Sequence, residues 1–356
     1  MTEKRGLTYR DSGVDIDAQD VALARIKGFL KETKTPETLS DLGSFGGLFK
    51  VPGGYEEPVL VASTDGVGTK LKVAFAAGIY DTVGRDLVNH CVNDIFVQGA
   101  RPLFFLDYVA TGRLDPHIIA TVVEGVARGC KEHGCALLGG ETAEMPDFYA
   151  VGELDVAGTI VGIVDRKKIV DGKKIAPGDV LIGLPSAGLH TNGYSLARRV
   201  LLEEMRLAVG DTIPGVGRTV AEVLLAEHRS YYAPLAKPVD EGIVKGLAHI
   251  TGGGITDNLP RILPEGTRAR ITPGSWPVLP VYDVIQREGR VEEGEMYRVF
   301  NMGIGMIAVV APEGAARLRK HLDGMKEAHY TIGTIVKGKP GVEYDEAAGG
   351  PEAARG

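Results

Sequence analysis

Cysteine is scarce in this chain of 356 residues: Cys91, Cys130 and Cys135 are its three, and their spacing matches no metal-ligand pattern. Buried, reduced thiols in a reducing compartment are the expectation. Positive charge is also in deficit, with 40 Lys and Arg against 47 Asp and Glu, a net charge of −7 and a pI near 5.7. Without a general basic field, neither nucleic acid nor an anionic membrane is an expected partner. Anionic substrates would have to be held by local devices such as helix ends, loop amides and bound cations. No apolar run approaches the ~18 residues of a membrane span, and Met1–Asp20 is polar, with no apolar leader segment. A cytoplasmic protein is expected. No repeat of fixed short period is present.

Glycine, by contrast, is plentiful at 49 residues, clustered beside acidic residues, His and Thr. Short glycine turns between apolar runs suggest backbone that approaches ligands closely. The length suits two domains. Residues 1–45 read as a poorly anchored, mobile arm with one helix near Ala18–Lys31. Alternating strands and helices follow: strand Pro58–Ala62, helix Asp81–Gln98, strand Leu103–Val109, helix His117–Glu132, and strands Cys135–Leu138 and Val156–Val164. The charged, turn-rich stretch Asp165–Asp179 suits a boundary. After it come strand Val180–Leu184, helices Asn192–Met205 and Thr219–Glu227, strands Leu247–Ile250 and Arg268–Ile271, helix Val281–Glu288, strand Gly303–Val310, helix Ala315–Leu322 and strand Tyr330–Val336. The reading is α/β: a first domain over 46–168, a second over 169–345, and a disordered tail, 346–356.

Five motifs carry chemistry. Asp65-Gly66-Val67-Gly68-Thr69-Lys70 lies just past an apolar strand, where α/β folds place ligands. Its glycines let amides approach phosphate, and Asp65 can hold a hard cation. It is not a P-loop, because the glycine spacing is wrong and Thr69 precedes Lys70. Asp94 lies beside the Leu87/Cys91 face of its helix, so it must bind metal or be paired, for instance with Arg101. Leu138-Gly139-Gly140-Glu141 repeats the strand, glycine, carboxylate order. Asp65, Asp94 and Glu141 could converge on Mg2+ if their elements share a sheet edge. Ser186–Ser195 links a strand to a helix and contains His190, a candidate phosphate donor or acid–base group. In Thr251-Gly252-Gly253-Gly254, three successive glycines favour a phosphate cradle over a bare loop.

Read together, TYRDSGVDIDA (Tyr9 to Ala18), TDGVGTK (Thr64 to Lys70), VNDIFVQGARPLFFLDYVATG (Val92 to Gly112), LLGGETAEMP (Leu137 to Pro146), LHTNGYSL (Leu189 to Leu196) and ITGGGITDNLPRILP (Ile250 to Pro264) resemble the aminoimidazole ribonucleotide synthetase family, the phosphoribosylformylglycinamidine cyclo-ligases. The motifs come in the family's order and span nearly the whole chain to about residue 340. The resemblance implies two α/β domains, with the N-terminal sheets of a homodimer joined in a barrel. It implies ATP and Mg2+ as cofactors, leaves room for a monovalent cation, and implies closure of formylglycinamidine ribonucleotide to 5-aminoimidazole ribonucleotide through a phosphorylated formyl oxygen.

Roles follow from the same resemblance. Asp65, Asp94 and Glu141 would hold Mg2+. Gly66, Val67, Gly68 and Thr69, with Lys70 and Lys27, would meet ATP, Lys27 closing over it from the arm. His190, Lys27 and Asp94 would be catalytic. Gly252, Gly253 and Gly254, with Thr191 and Asn192, would hold the ribonucleotide 5′-phosphate. The alternatives are an ATP-using relative of the selenophosphate synthetase or thiamine monophosphate kinase type, and a non-catalytic nucleotide-binding protein. The first of these expects a reactive Cys that Gly43–Gly47 lacks.

Overall fold

A computed structural model describes residues 6–40 and 45–345. The expected disordered tail lies outside the described residues, as do residues 1–5 and 41–44.

The chain opens with α1 (Ile16–Thr33), capped by the Asp15 carboxylate, which accepts from the Ala18 N–H. Ala22, Ile26 and Leu30 recur every four residues and are buried. The next elements are β1 (Pro58–Gly66), α2 (Leu71–Ala77), α3 (Val83–Phe96), β2 (Arg101–Thr111), α4 (Pro116–Glu132), β3 (Ala136–Glu144) and β4 (Leu154–Asp165). The four strands form one sheet in the order β1-β4-β2-β3, with only β2 and β3 parallel.

Both α3 and α4 cover one face of this sheet, and α1 packs on α4 and β3. The helix of the expected arm is anchored: Ile26 and Leu30 join the core, and the Leu137 N–H donates to Thr33 Oγ1 at 2.9 Å. On the opposite face Leu60, Leu106 and Tyr108 are exposed. The helices α3 and α4 cross closely because each carries a glycine at the crossing, Gly84 and Gly125. A Cβ on Gly84 would stand 2.1 Å from Val122 O.

The second half contains β5 (Val180–Pro185), α5 (Tyr194–Arg198), α6 (Val220–Leu224), α7 (Tyr232–Asp240), β6 (Val244–His249), α8 (Gly254–Asn258), β7 (Thr267–Ile271), α9 (Pro280–Gly289), α10 (Glu293–Val299), β8 (Ile304–Val310), α11 (Pro312–Gly324), β9 (Tyr330–Lys337) and β10 (Val342–Tyr344). Its strands form a six-stranded sheet, β10-β7-β9-β5-β8-β6, in which only β10 and β7 run parallel. Alternation along the chain thus produces mixed, mostly antiparallel sheets rather than parallel ones. The long helix expected over Asn192–Met205 is α5 followed by a wider π turn at Arg199–Glu204. Among the described residues no helix is long and apolar enough to cross a membrane.

Candidate active site

Two of the glycine motifs are strand rather than loop. β1 continues through Asp65 and Gly66, and β3 through Gly139-Gly140-Glu141. Gly140 is required by packing, since the Asp107 carboxylate lies 1.8 Å from where its Cβ would stand. The row Asp65, Gly158, Asp107, Gly140 runs directly across the sheet. Asp65 is on one edge strand and Glu141, beside Gly140, is on the other, three strand spacings or about 14 Å apart. The expected trio is therefore corrected: within one chain Glu141 does not join Asp65 and Asp94. Lys27 also lies on the β3 side, lining a cavity of about 310 Å³ with Leu30, Lys31, Lys34 and Leu138.

Asp65 and Asp94 do meet. His90 lies one turn before Asp94 on α3, and its Nε2 is 2.8 Å from Asp65 Oδ2 and 3.8 Å from Asp94 Oδ2. His249, the last residue of β6, places Nδ1 2.8 Å from Asp94 Oδ1, and Ser63 Oγ donates to Asp94 Oδ2 at 3.1 Å. The Arg101 pairing is not the one adopted, as that guanidinium donates to Tyr55 Oη. His249 Nε2 is 3.0 Å from His228 Nε2, and Thr191 Oγ1 lies 3.4 Å from His228 Nδ1 and 2.7 Å from His90 Nδ1.

One placement of protons satisfies all these contacts. His90 donates from both nitrogens, to Asp65 and to Thr191. Thr191 then donates to His228 Nδ1, His228 Nε2–H donates to His249 Nε2, and His249 Nδ1–H donates to Asp94. The electrostatics agree. Burial acts against a charged His90, but the Asp65 hydrogen bond and the two carboxylates outweigh it and raise its pKa. Burial lowers His228 far below the ordinary histidine range, and lowers His249 despite Asp94. Asp65 and Asp94 are held below the usual carboxylate range: burial opposes ionisation, and the hydrogen bonds and charges of His90 and His249 overcome it.

The remaining motifs surround this network. Thr69 Oγ1 is 3.3 Å from Ser195 Oγ, which joins the first glycine motif to the start of α5. The Asn192 side chain lies against Gly252, its Oδ1 3.2 Å from where a Cβ would stand, and its buried Nδ2 has no partner among the described residues. Gly252 follows His249 by three residues, so both loops border the carboxylates.

Three expected roles need correction. Lys70 is fully buried; its Nζ is 2.6 Å from Asp86 Oδ2 and donates to Ala226 O at 2.8 Å, so it is withdrawn from phosphate. The Val67 N–H is occupied by Val156 O at 3.2 Å, and the Gly66 N–H by Asp65 Oδ1 at 2.7 Å, so neither amide is open to ATP. His190 exposes no surface, stacks on His228 at 4.1 Å between ring centres, and takes the Ala187 N–H on Nε2. It is a neutral core imidazole, its pKa driven down by burial and by neighbouring cationic groups. Sequence reasoning missed His90, His228 and His249. The signal available was His90 four residues before Asp94, and His249 beside the triple glycine.

Comparison with known proteins follows the same division. Residues 48–164 match the family model described as AIR synthase related protein, N-terminal domain, and residues 176–345 match its C-terminal domain. The chain is 52% identical to a phosphoribosylformylglycinamidine cyclo-ligase of Citrifermentans bemidjiense, over 95% of this chain and 97% of that one. It is 54% identical to the protein of that name in Sorangium cellulosum, over 93% and 95%. Among solved structures, thiamine-monophosphate kinase from Stenotrophomonas maltophilia superposes with a TM-score of 0.65 at 17% identity, covering 92% of this chain and 97% of that one. Hydrogenase maturation protein HypE in complex with ATP superposes with a TM-score of 0.62 at 18% identity, covering 90% of each chain.

Proposed function

The chain belongs to the AIR synthase related family, and from that premise we propose that the Asp65–His90–Thr191–His228–His249–Asp94 network is where it couples ATP to ring closure. The protein is a C–N bond-forming ligase of purine biosynthesis, converting formylglycinamidine ribonucleotide and ATP to 5-aminoimidazole ribonucleotide, ADP and phosphate. A formamide oxygen is a poor leaving group. In our reading that oxygen attacks the γ-phosphorus and the bond to ADP breaks. The amidine nitrogen then adds to the activated carbon, phosphate departs with the C–O electron pair, and the ring nitrogen loses a proton.

Phosphoryl transfer of this kind needs mainly positioning and charge neutralisation. Two ionised carboxylates from β1 and α3, converging on one imidazole, fit a hard cation held by a few carboxylates and phosphate oxygens. When bound, Mg2+ would neutralise charge on the polyphosphate. The chain's own contribution is orientation: His249 fixes the Asp94 carboxylate, and His90 offsets repulsion between Asp94 and Asp65. Gly252–Gly254, with Thr191 and the amide of Asn192, would hold the 5′-phosphate. Lys27 and Glu141 enter through a second copy. If the exposed faces bearing Leu60, Leu106 and Tyr108 close into a barrel, β3 of one copy can border β1 of the other.

The observation that carries this reading is the meeting of Asp65 and Asp94 on His90 beside the Gly252 loop. Asp94→Asn keeps the shape and removes the charge. ADP release should fall by roughly 10²-fold or more with the fold intact; turnover near that of the parent would remove Asp94 from the site.

A further inference from the structure

The Lys70–Asp86 pair lies outside the reaction set, and both side chains have no exposed surface. It sits where the two halves of the molecule meet. Asp86 Oδ1 accepts the backbone N–H of His228 at 2.6 Å, while Lys70 Nζ donates to the carbonyl of Ala226. Farther along the same face of α3, Asn89 donates to His228 O at 2.7 Å. Asn93 donates to Arg229 O at 2.9 Å and accepts the Tyr231 N–H at 2.9 Å. Asp86, Asn89 and Asn93 are spaced three and four residues apart, so they form one stripe on the helix. That stripe satisfies the main chain from His228 to Tyr231, a segment that lies in no strand.

We propose that Asp86 is a positioning residue, with Lys70 as its buried counter-ion: the Asp86 carboxylate pins the 226–231 segment onto α3, which sets His228 against His249 and so fixes the orientation of Asp94. The proposal rests on the functional reading above for its catalytic consequence, and on geometry alone for the pin itself. A displacement of about 1 Å at a reacting group can cost roughly 10²-fold in rate. Lys70 also follows Thr69 directly, so the same pin ties the first glycine motif to the second half of the chain.

Two double variants of the full chain separate the possibilities, because each removes both buried charges together and leaves no unpaired ion. Lys70→Met with Asp86→Asn keeps an oxygen for the His228 N–H; Lys70→Met with Asp86→Leu does not. Long-range 1H–15N NMR of the histidine side chains, without substrate, should show the His249–Asp94 hydrogen bond retained in the first and lost in the second. The first should keep kcat within about threefold, while the second should lose roughly 10²-fold in kcat with KM for ATP little changed. If the second double variant folds and gives the parental histidine spectra, the pin is overturned. Equal rises in KM for ATP in both variants would also overturn it, returning Lys70 to the phosphate. If the parent protein shows no substrate-dependent ADP release, the functional reading fails, yet the spectra still decide the pin.

Discussion

Asp107 lies on the helix-covered face of β2, in line with the buried Phe105 and Val109. Among the described residues no cation pairs with it, and burial, eased only by its own backbone N–H, pushes its carboxyl from 3.8 to about 7. For a carboxyl raised in the folded state, the native protein keeps a proton that the unfolded chain has released. The stability loss therefore begins near pH 4, grows as pH rises, and is complete above pH 7. The displacement corresponds to about 4 kcal/mol at the conversion of 1.36 kcal/mol per pKa, and water reaching the partly exposed residue reduces this to about 2–4 kcal/mol. Asp107→Asn is isosteric and still fits over Gly140. Urea unfolding of parent and variant at pH 5 and pH 8.5 should show the variant more stable by about 2–4 kcal/mol at the higher pH, with the gap narrowing towards pH 4. Measuring both proteins at each pH cancels every other titrating group. A variant no more stable than the parent at pH 8.5 would refute the reasoning, since it would mean that Asp107 is ionised and satisfied in the native state.

Other perturbations test other links. Gly84→Ala drives a methyl group into the Val122 carbonyl where α3 crosses α4. It should cost about 1–3 kcal/mol, read as a lower Tm by calorimetry, with activity falling because α3 carries His90 and Asp94. His249→Ala removes one of the donors on Asp94 and should lower kcat by roughly 10²-fold in a steady-state ADP assay; an unchanged kcat would reduce the His249–Asp94 contact to packing. Tyr108→Arg places a charge on the exposed sheet face; if that face joins two copies as proposed, light scattering coupled to gel filtration should show a dimeric parent and a monomeric variant. A mass unchanged from the parent's would exclude that face as the interface.

Much of the fold was legible because apolar periodicity survives folding. The helix expected at Asp81–Gln98 is α3, trimmed at its ends, and the Asp94 carboxylate, only partly buried, is paired through Ser63 and His249. Strand ends were less legible. Ser63, Thr64 and Asp65 look like a turn because they break the apolar run, yet the ladder continues through Thr64 opposite Thr159. The site was half visible. A lysine beside glycines reads as a phosphate ligand, and nothing local shows that Lys70 lies opposite Asp86 in the core. Asp65 and Glu141 carry similar motifs, but the strand order sends them to opposite edges, which spacing along the chain does not encode. His228 and His249 are isolated in sequence; the seating of residues 226–231 on α3 brings the first to His90, and the end of β6 brings the second to Asp94.

Crystals grown with Mn2+ in place of Mg2+ and a non-hydrolysable ATP analogue would test the central claim most directly. Anomalous scattering should place a manganese ion in direct contact with carboxylate oxygens of both Asp65 and Asp94 and with the polyphosphate. A metal and polyphosphate bound where neither carboxylate reaches them would contradict the account.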